Sequence, residues 1–222
     1  MWRSILLKER LKLQWVFYAA LVVNLGFCVK VFLGIRQQLH IEHAEMVWHQ
    51  VIHLQTVFQH QMRHLPLLTG LALASAQFIP ELLGRRMRIA LHLPVAREKM
   101  LSWCLLVGLG HVLIVFGLVA GLTHLTMSAY FPAEVALSTF ETMIPWYAAG
   151  LLGYLGGAAA LLEPAWSRRL FLTFIFSVPV FMMFSGVGYN WLTPALPWLA
   201  LLIFPALASV FESCRRFQQR GS

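Results

Sequence analysis

Six stretches of roughly twenty mostly apolar residues dominate this chain, at about residues 15–35, 65–83, 101–123, 141–162, 170–188 and 192–212. A bilayer core about 30 Å thick needs that length from a helix, because every backbone N–H and C=O must be satisfied inside the segment. Transmembrane β-strands would alternate polar and apolar residues over about ten positions, and no such period occurs. The sequence therefore predicts an all-α membrane protein of six spans. Composition agrees: 59% of the 222 residues are hydrophobic and 12% charged, and the mean hydropathy is +0.70. Globular domains carry about 25% charged residues, so a soluble enzyme is excluded.

The few charges are lopsided. Lys and Arg total 17, Glu totals 9 and Asp is absent, giving a net charge of +8. The basic residues form short clusters between apolar runs, so no continuous basic surface exists for a phosphate backbone, and nucleic acid is excluded as a partner. Arg3, Lys8, Arg10 and Lys12 precede the first span; Arg85, Arg86, Arg88, Arg97 and Lys99 lie between the second and third. Arg168 and Arg169 separate the fourth from the fifth, and Arg215, Arg216 and Arg220 follow the sixth. The opposite loops hold only Lys30, Arg36 and Arg63. Positive residues near span ends stay in the cytoplasm. Both termini are expected there, with the first span retained as a signal anchor, in an integral protein of the bacterial cytoplasmic (inner) membrane. Trp15, Trp103, Trp146, Trp166, Trp191 and Trp198 fall near the expected interfaces, as an aromatic belt would. Cys28, Cys104 and Cys214 are far apart and read as small core hydrophobes.

The expected organisation is an amphipathic interface helix over 1–14 followed by a six-span domain over 15–222. Residues 1–14 intersperse Trp2, Ile5, Leu6, Leu11 and Leu13 with four basic side chains, which suits a helix lying on the inner leaflet; a plain topology-setting anchor reads equally well. Residues 81–100, ELLGRRMRIALHLPVAREKM, combine five basic residues with Leu82, Leu83, Met87, Ile89, Leu91 and Leu93 and a break at Pro94. A helix that enters the cytoplasm, turns at a proline and returns suits docking into another protein's groove. The plainer alternative is a charged loop with a helix-breaking proline.

This segment resembles the first cytoplasmic loop of type-2 ABC exporter permeases, which commonly carries an acidic residue, one or more Arg and a Leu-x-x-Leu-Pro-Val-Ser-Arg-like ending. Glu81, Arg85, Arg86, Leu91, Leu93, Pro94, Val95 and Arg97 match that pattern, with Ala96 where Ser is frequent. The six-span layout, basic start and second short cytoplasmic turn at 163–169 are similar too. The resemblance implies that 81–100 is a coupling loop inserted into a separate ATPase subunit. Arg85, Arg86, Arg88 and Arg97 would pair with its acids, while Leu91, Leu93 and Val95 fill its groove. It also implies a second permease, identical or not, as partner, and a re-entrant outer gate tipped by Tyr189, Asn190 and Trp191. No G-x-x-x-x-G-K-[ST] occurs, so ATP is expected to be hydrolysed by the partner, and the chain itself is expected not to be an enzyme or to hold an intrinsic cofactor.

Residues 36–64 contain six of the nine histidines. On one continuous helix at 100° per residue, Glu42, Met46, His49, His53, His60 and His64 share a face about 60° wide. The i, i+4 pairs His49/His53 and His60/His64 have the spacing by which two imidazoles meet one metal, and with Met46 copper suits as well as zinc. A polar helix face built from neutral His, or a pH-responsive face, are the other readings. Within the spans, His111, Asn24, Gln77 and Glu141 are candidates for a pathway or for helix–helix hydrogen bonds. Gly150, Gly153, Gly156 and Gly157 form a close-packing face. Among relatives of the exporter type, permeases for haem export or for copper delivery to nitrous oxide reductase share length and span number. The reading of another class, a membrane metal- or haem-binding protein without transport, needs paired axial ligands, and only His111 is well inside a span.

Overall fold

The computed structural model describes residues 2–41, 44–53, 56–83, 97–186 and 188–219, and these residues are almost wholly helical. The helices are α1 (Trp2–Ile41), α2 (Ala44–Ile52), α3 (Leu65–Leu83), α4 (Arg97–Tyr130), α5 (Ala133–Leu162), α6 (Trp166–Phe184), α7 (Leu196–Leu201) and α8 (Ile203–Gln219), with short 3-10 turns at Phe58–Met62 and Thr193–Ala195. Six segments are long and apolar enough to cross a membrane: Leu6–Ile41, Phe58–Leu83, Lys99–Tyr130, Ala133–Leu162, Trp166–Phe184 and Thr193–Phe217. Each contains or overlaps one of the six stretches predicted from hydropathy. The chain is thus an integral membrane protein by the length and composition of its helices.

α5 is the centre of the bundle. It packs against α3, α4, α6 and α8, and 61% of its most apolar stretch is buried, against 6% for that of α6. Glycine makes this possible. A Cβ on Gly70 would strike the carbonyl oxygen of Gly150, and one on Gly150 would come within 2.6 Å of the Pro66 carbonyl oxygen, so α3 and α5 meet backbone to backbone. Gly153 and Gly157 continue that contact against Leu67 and Leu71, while Gly156 faces Phe176 of α6. The predicted close-packing face is therefore shared between two neighbours. The outward faces of α6 and α8 stay apolar and exposed, with Phe171, Phe174, Phe181 and Phe204 among the side chains uncovered, as a lipid-facing surface requires.

Two expected elements differ. Residues 2–14 do not form a helix of their own. They are the first turns of α1, whose 40 residues span about 60 Å, twice a bilayer core. The continuous His-rich helix expected over 36–64 is replaced by the end of α1, by α2 and by the 3-10 turn. α2 stops because the Gln50 carbonyl accepts both the backbone N–H of Thr56, at 3.1 Å, and its hydroxyl, at 2.9 Å. Val57 is then extended, at φ −92° and ψ 101°. Both Thr56 donors satisfy a carbonyl that the last turn of a helix leaves without an intrahelical partner.

Candidate functional site

Most of the buried charge in the bundle gathers at the end of α3 that precedes residues 84–96. Glu81, in the last turn of α3, is 6% exposed and Glu9, on α1, 2% exposed. Carboxylates are almost never buried without partners, and these have several. Lys8 lies 2.8 Å from Glu81, and Lys12 reaches both Glu9, at 2.8 Å, and Glu81, at 3.2 Å. The Gln77 amide donates to the second carboxylate oxygen of Glu9, at 2.9 Å, and to the Cys104 carbonyl, at 2.7 Å. The Tyr154 hydroxyl donates to the Gln77 oxygen at 2.6 Å. Side chains of α1, α3 and α5 and the backbone of α4 thus form one network of two lysines and two glutamates, with no net charge. Gly108 of α4 makes room for it, since a Cβ there would overlap the Tyr154 hydroxyl and the Gln77 oxygen. Two turns deeper, Asn24 donates to Thr69, at 2.9 Å, and to the Ala20 carbonyl, at 2.8 Å. Both Gln77 and Asn24 make helix–helix hydrogen bonds, one of the two readings open to them from sequence.

Of the residues assigned to coupling, Glu81 sits in this network and faces α1. Arg97 opens α4. Arg85, Arg86, Arg88, Leu91, Leu93, Pro94 and Val95 lie outside the described residues.

At the opposite end, Tyr189, Asn190 and Trp191 form a turn between α6 and the Thr193–Ala195 turn. Gly188 and Asn190 have left-handed backbones, at φ 95° and 56°, a region in which Gly is free and Asn is enriched. The Asn190 N–H donates to the Thr142 hydroxyl at 3.1 Å, and the Tyr189 hydroxyl donates to the Thr56 carbonyl at 3.2 Å. Burial raises the Tyr189 phenol above its ordinary range and keeps it neutral. Trp191, His60, Thr142 and Trp146 line a small cavity beneath this turn. Asn190 is therefore tied to α5 and Tyr189 to the chain after α2.

The histidines divide into two pairs. The rings of His49 and His53 lie 4.8 Å apart. His60 and His64 instead hold Arg63: its Nε donates to His64 Nε2 at 2.9 Å, and its Nη1 contacts His60 Nε2 at 2.8 Å. A guanidinium only donates, so both imidazoles present a lone pair at Nε2 and are neutral in this arrangement. Met46 is exposed on α2. Among the described residues, no three His, Cys, Asp or Glu side chains gather at metal-binding spacing. His111 has Nδ1 2.7 Å from the Val107 carbonyl of its own helix, and its ring edge packs on Phe17.

Sequence reasoning missed the partners of Glu81. Lys8 and Lys12 count toward orientation as bare charges, and Glu9 carries no motif. The usable signal was Glu9 itself, the one acid in a basic run, and Gln77, four residues before Glu81 on the same face of α3.

No protein-family model matches the chain, and neither a curated protein nor a solved structure matches it.

Proposed function

We propose that this chain is the transmembrane subunit of an ATP-driven exporter of the type-2 ABC kind, working with a separate ATPase subunit. The observation that carries the reading is the anchoring of Glu81. The residue that begins the proposed coupling loop is held by Lys8 and Lys12, and through Glu9 and Gln77 the same network reaches Tyr154 on the central helix. A loop that transmits force from a partner needs a stiff base. An ionic network whose two carboxylates are buried and paired supplies one, because breaking it strands a buried charge.

In this reading six crossings return both ends of the chain to the cytoplasmic side of a bacterial inner membrane, where the fourteen clustered basic residues are retained. The first turns of α1 carry four of these charges and extend past the membrane core on that side. Arg85, Arg86, Arg88 and Arg97 engage acids of the ATPase, and Leu91, Leu93 and Val95 occupy its groove around the turn at Pro94. ATP binds and is hydrolysed in the partner. A second permease completes the pathway, and the Tyr189–Asn190–Trp191 turn closes its outer mouth. Haem export and copper delivery remain within this reading as cargoes.

The test is co-purification from the native membrane with crosslinkers placed at residues 85, 86 and 97. The expected partner is a Walker-motif ATPase, lost on simultaneous charge reversal of Arg85, Arg86 and Arg97. A protein that transports in vesicles with no ATPase present would overturn the proposal.

A further inference from the structure

On the half of the bundle away from Glu81, α1 and the Phe58–Met62 turn enclose an open groove of about 460 Å³. Gly26, Lys30, Gly34 and Gln37 recur along it at helical spacing and Phe58 and Gln61 form its other wall. A Cβ on Gly26 or Gly34 would meet no atom within 4 Å, so these glycines are not there to admit a neighbouring helix. They leave the groove open. Lys30 is exposed and lies 5.8 Å from the Phe27 ring centre, and among the described residues it has no acidic partner. Gln38, also in the lining, has a buried carbonyl oxygen without a hydrogen-bond partner. Val29, Leu33 and Phe58 supply apolar wall.

An unpaired ammonium on a long apolar helix, beside amides and above an apolar channel, matches an amphiphile with a negative headgroup. We infer that this groove binds one anionic phospholipid. Lys30 takes the phosphate, and one acyl chain runs back from it along Val29 and the open space beside Gly26. Lys30 is eleven residues before the end of α1, and its four-carbon stem lets the ammonium rise toward the headgroups while staying in the groove. Charge complementarity together with the apolar wall selects a lipid, which supplies a phosphate for Lys30 and an acyl chain for Val29 in one molecule. The inference is independent of whether an ATPase drives the protein.

The test is native mass spectrometry of the intact protein exchanged from nanodiscs of phosphatidylglycerol and phosphatidylcholine in equal amounts. One phosphatidylglycerol per chain should be retained in preference to phosphatidylcholine by about fivefold, the effect of one basic residue near a membrane surface. Lys30→Glu should abolish the preference. Gly26→Leu should displace the lipid with the charge intact, and because space is open there and Leu favours helix over Gly, it leaves the fold unharmed; unchanged circular dichroism checks this. Equal retention of the two lipids, or Gly26→Leu protein that keeps its lipid, overturns the inference. So does a change of oligomeric mass in place of lipid loss, which would assign the groove to a second copy.

Discussion

Gly108 shows how one missing side chain sustains a network spread over four helices. Its hydrogen occupies the space in which the Tyr154 hydroxyl meets the Gln77 oxygen. Gly108→Ala is expected to separate that pair and cost about 1–3 kcal/mol, the usual penalty for forcing extra bulk into a packed site. Tyr154→Phe, which keeps the ring but strands the Gln77 oxygen, should cost about 1–3 kcal/mol. Thermal unfolding in detergent checks both, and the double variant should cost less than the sum because the two changes break the same bond. Glu81→Gln tests the charge itself. It leaves Lys8 and Lys12 to share Glu9, and under the exporter proposal the expected outcome is an inserted protein that still binds the proposed ATPase but transports more slowly; unchanged transport would count against the coupling role proposed for Glu81. None of these effects could be read from residue types alone. The topology rule uses Lys8 and Lys12 without asking what they touch, and no local pattern pairs Glu9 with Gln77, sixty-eight positions away.

Elements were more legible where hydrophobicity alone decides them. The six spans follow from length and apolarity, and the crossing α5 glycines follow from their spacing. The His-rich segment did not, because a helical wheel assumes the helix continues, and the Thr56 closure onto Gln50 is invisible to periodicity. The face expected to unite four histidines divides at that point. His60 and His64 then acquire Arg63, and since both must accept from it, acidification that protonates the two rings should release the guanidinium. No acid lines the cavity beside His60, where α5 presents Thr142, Pro145 and Trp146 and α6 presents Met183, and the His64 ring lies against Phe184 of α6. Imidazole nitrogen NMR shifts recorded from pH 8 to 5 would show His60 and His64 titrating together with a change at Arg63 Nε. The helix contacts predict a second contrast. Gly70→Ala should destabilise by about 2 kcal/mol or more, since the obstacle is the Gly150 backbone and no rotamer change relieves it. Gly117→Ala, with open space around it, should stabilise by a few tenths to about 1 kcal/mol; unfolding midpoints of the two variants decide.

At the scale of the molecule, burial is unevenly shared. α3, α5 and the inward face of α4 form the interior, while α6 and α8 show phenylalanines to the outside. The sum of a charged, paired end and a broad apolar flank suits a chain that anchors something on one side and meets lipid or a second subunit on the other. Residue patterns gave the number of spans, while the role of 81–100 rests on a resemblance and stays a proposal. The packing order of the helices was not readable, because hydropathy measures how apolar a span is and says nothing about which neighbour covers it.

The backbone contact between Gly70 and Gly150 has a mechanical meaning. Where helices meet through side chains, rotamers let one creep along the other in small steps, as gears with play. Here a carbonyl sits in the notch of the facing helix and there is no play. A force that tried to slide α3 along α5 would meet that notch, so the two helices are expected to move together, with the sparsely buried α6 and α8 flank left to take up the displacement.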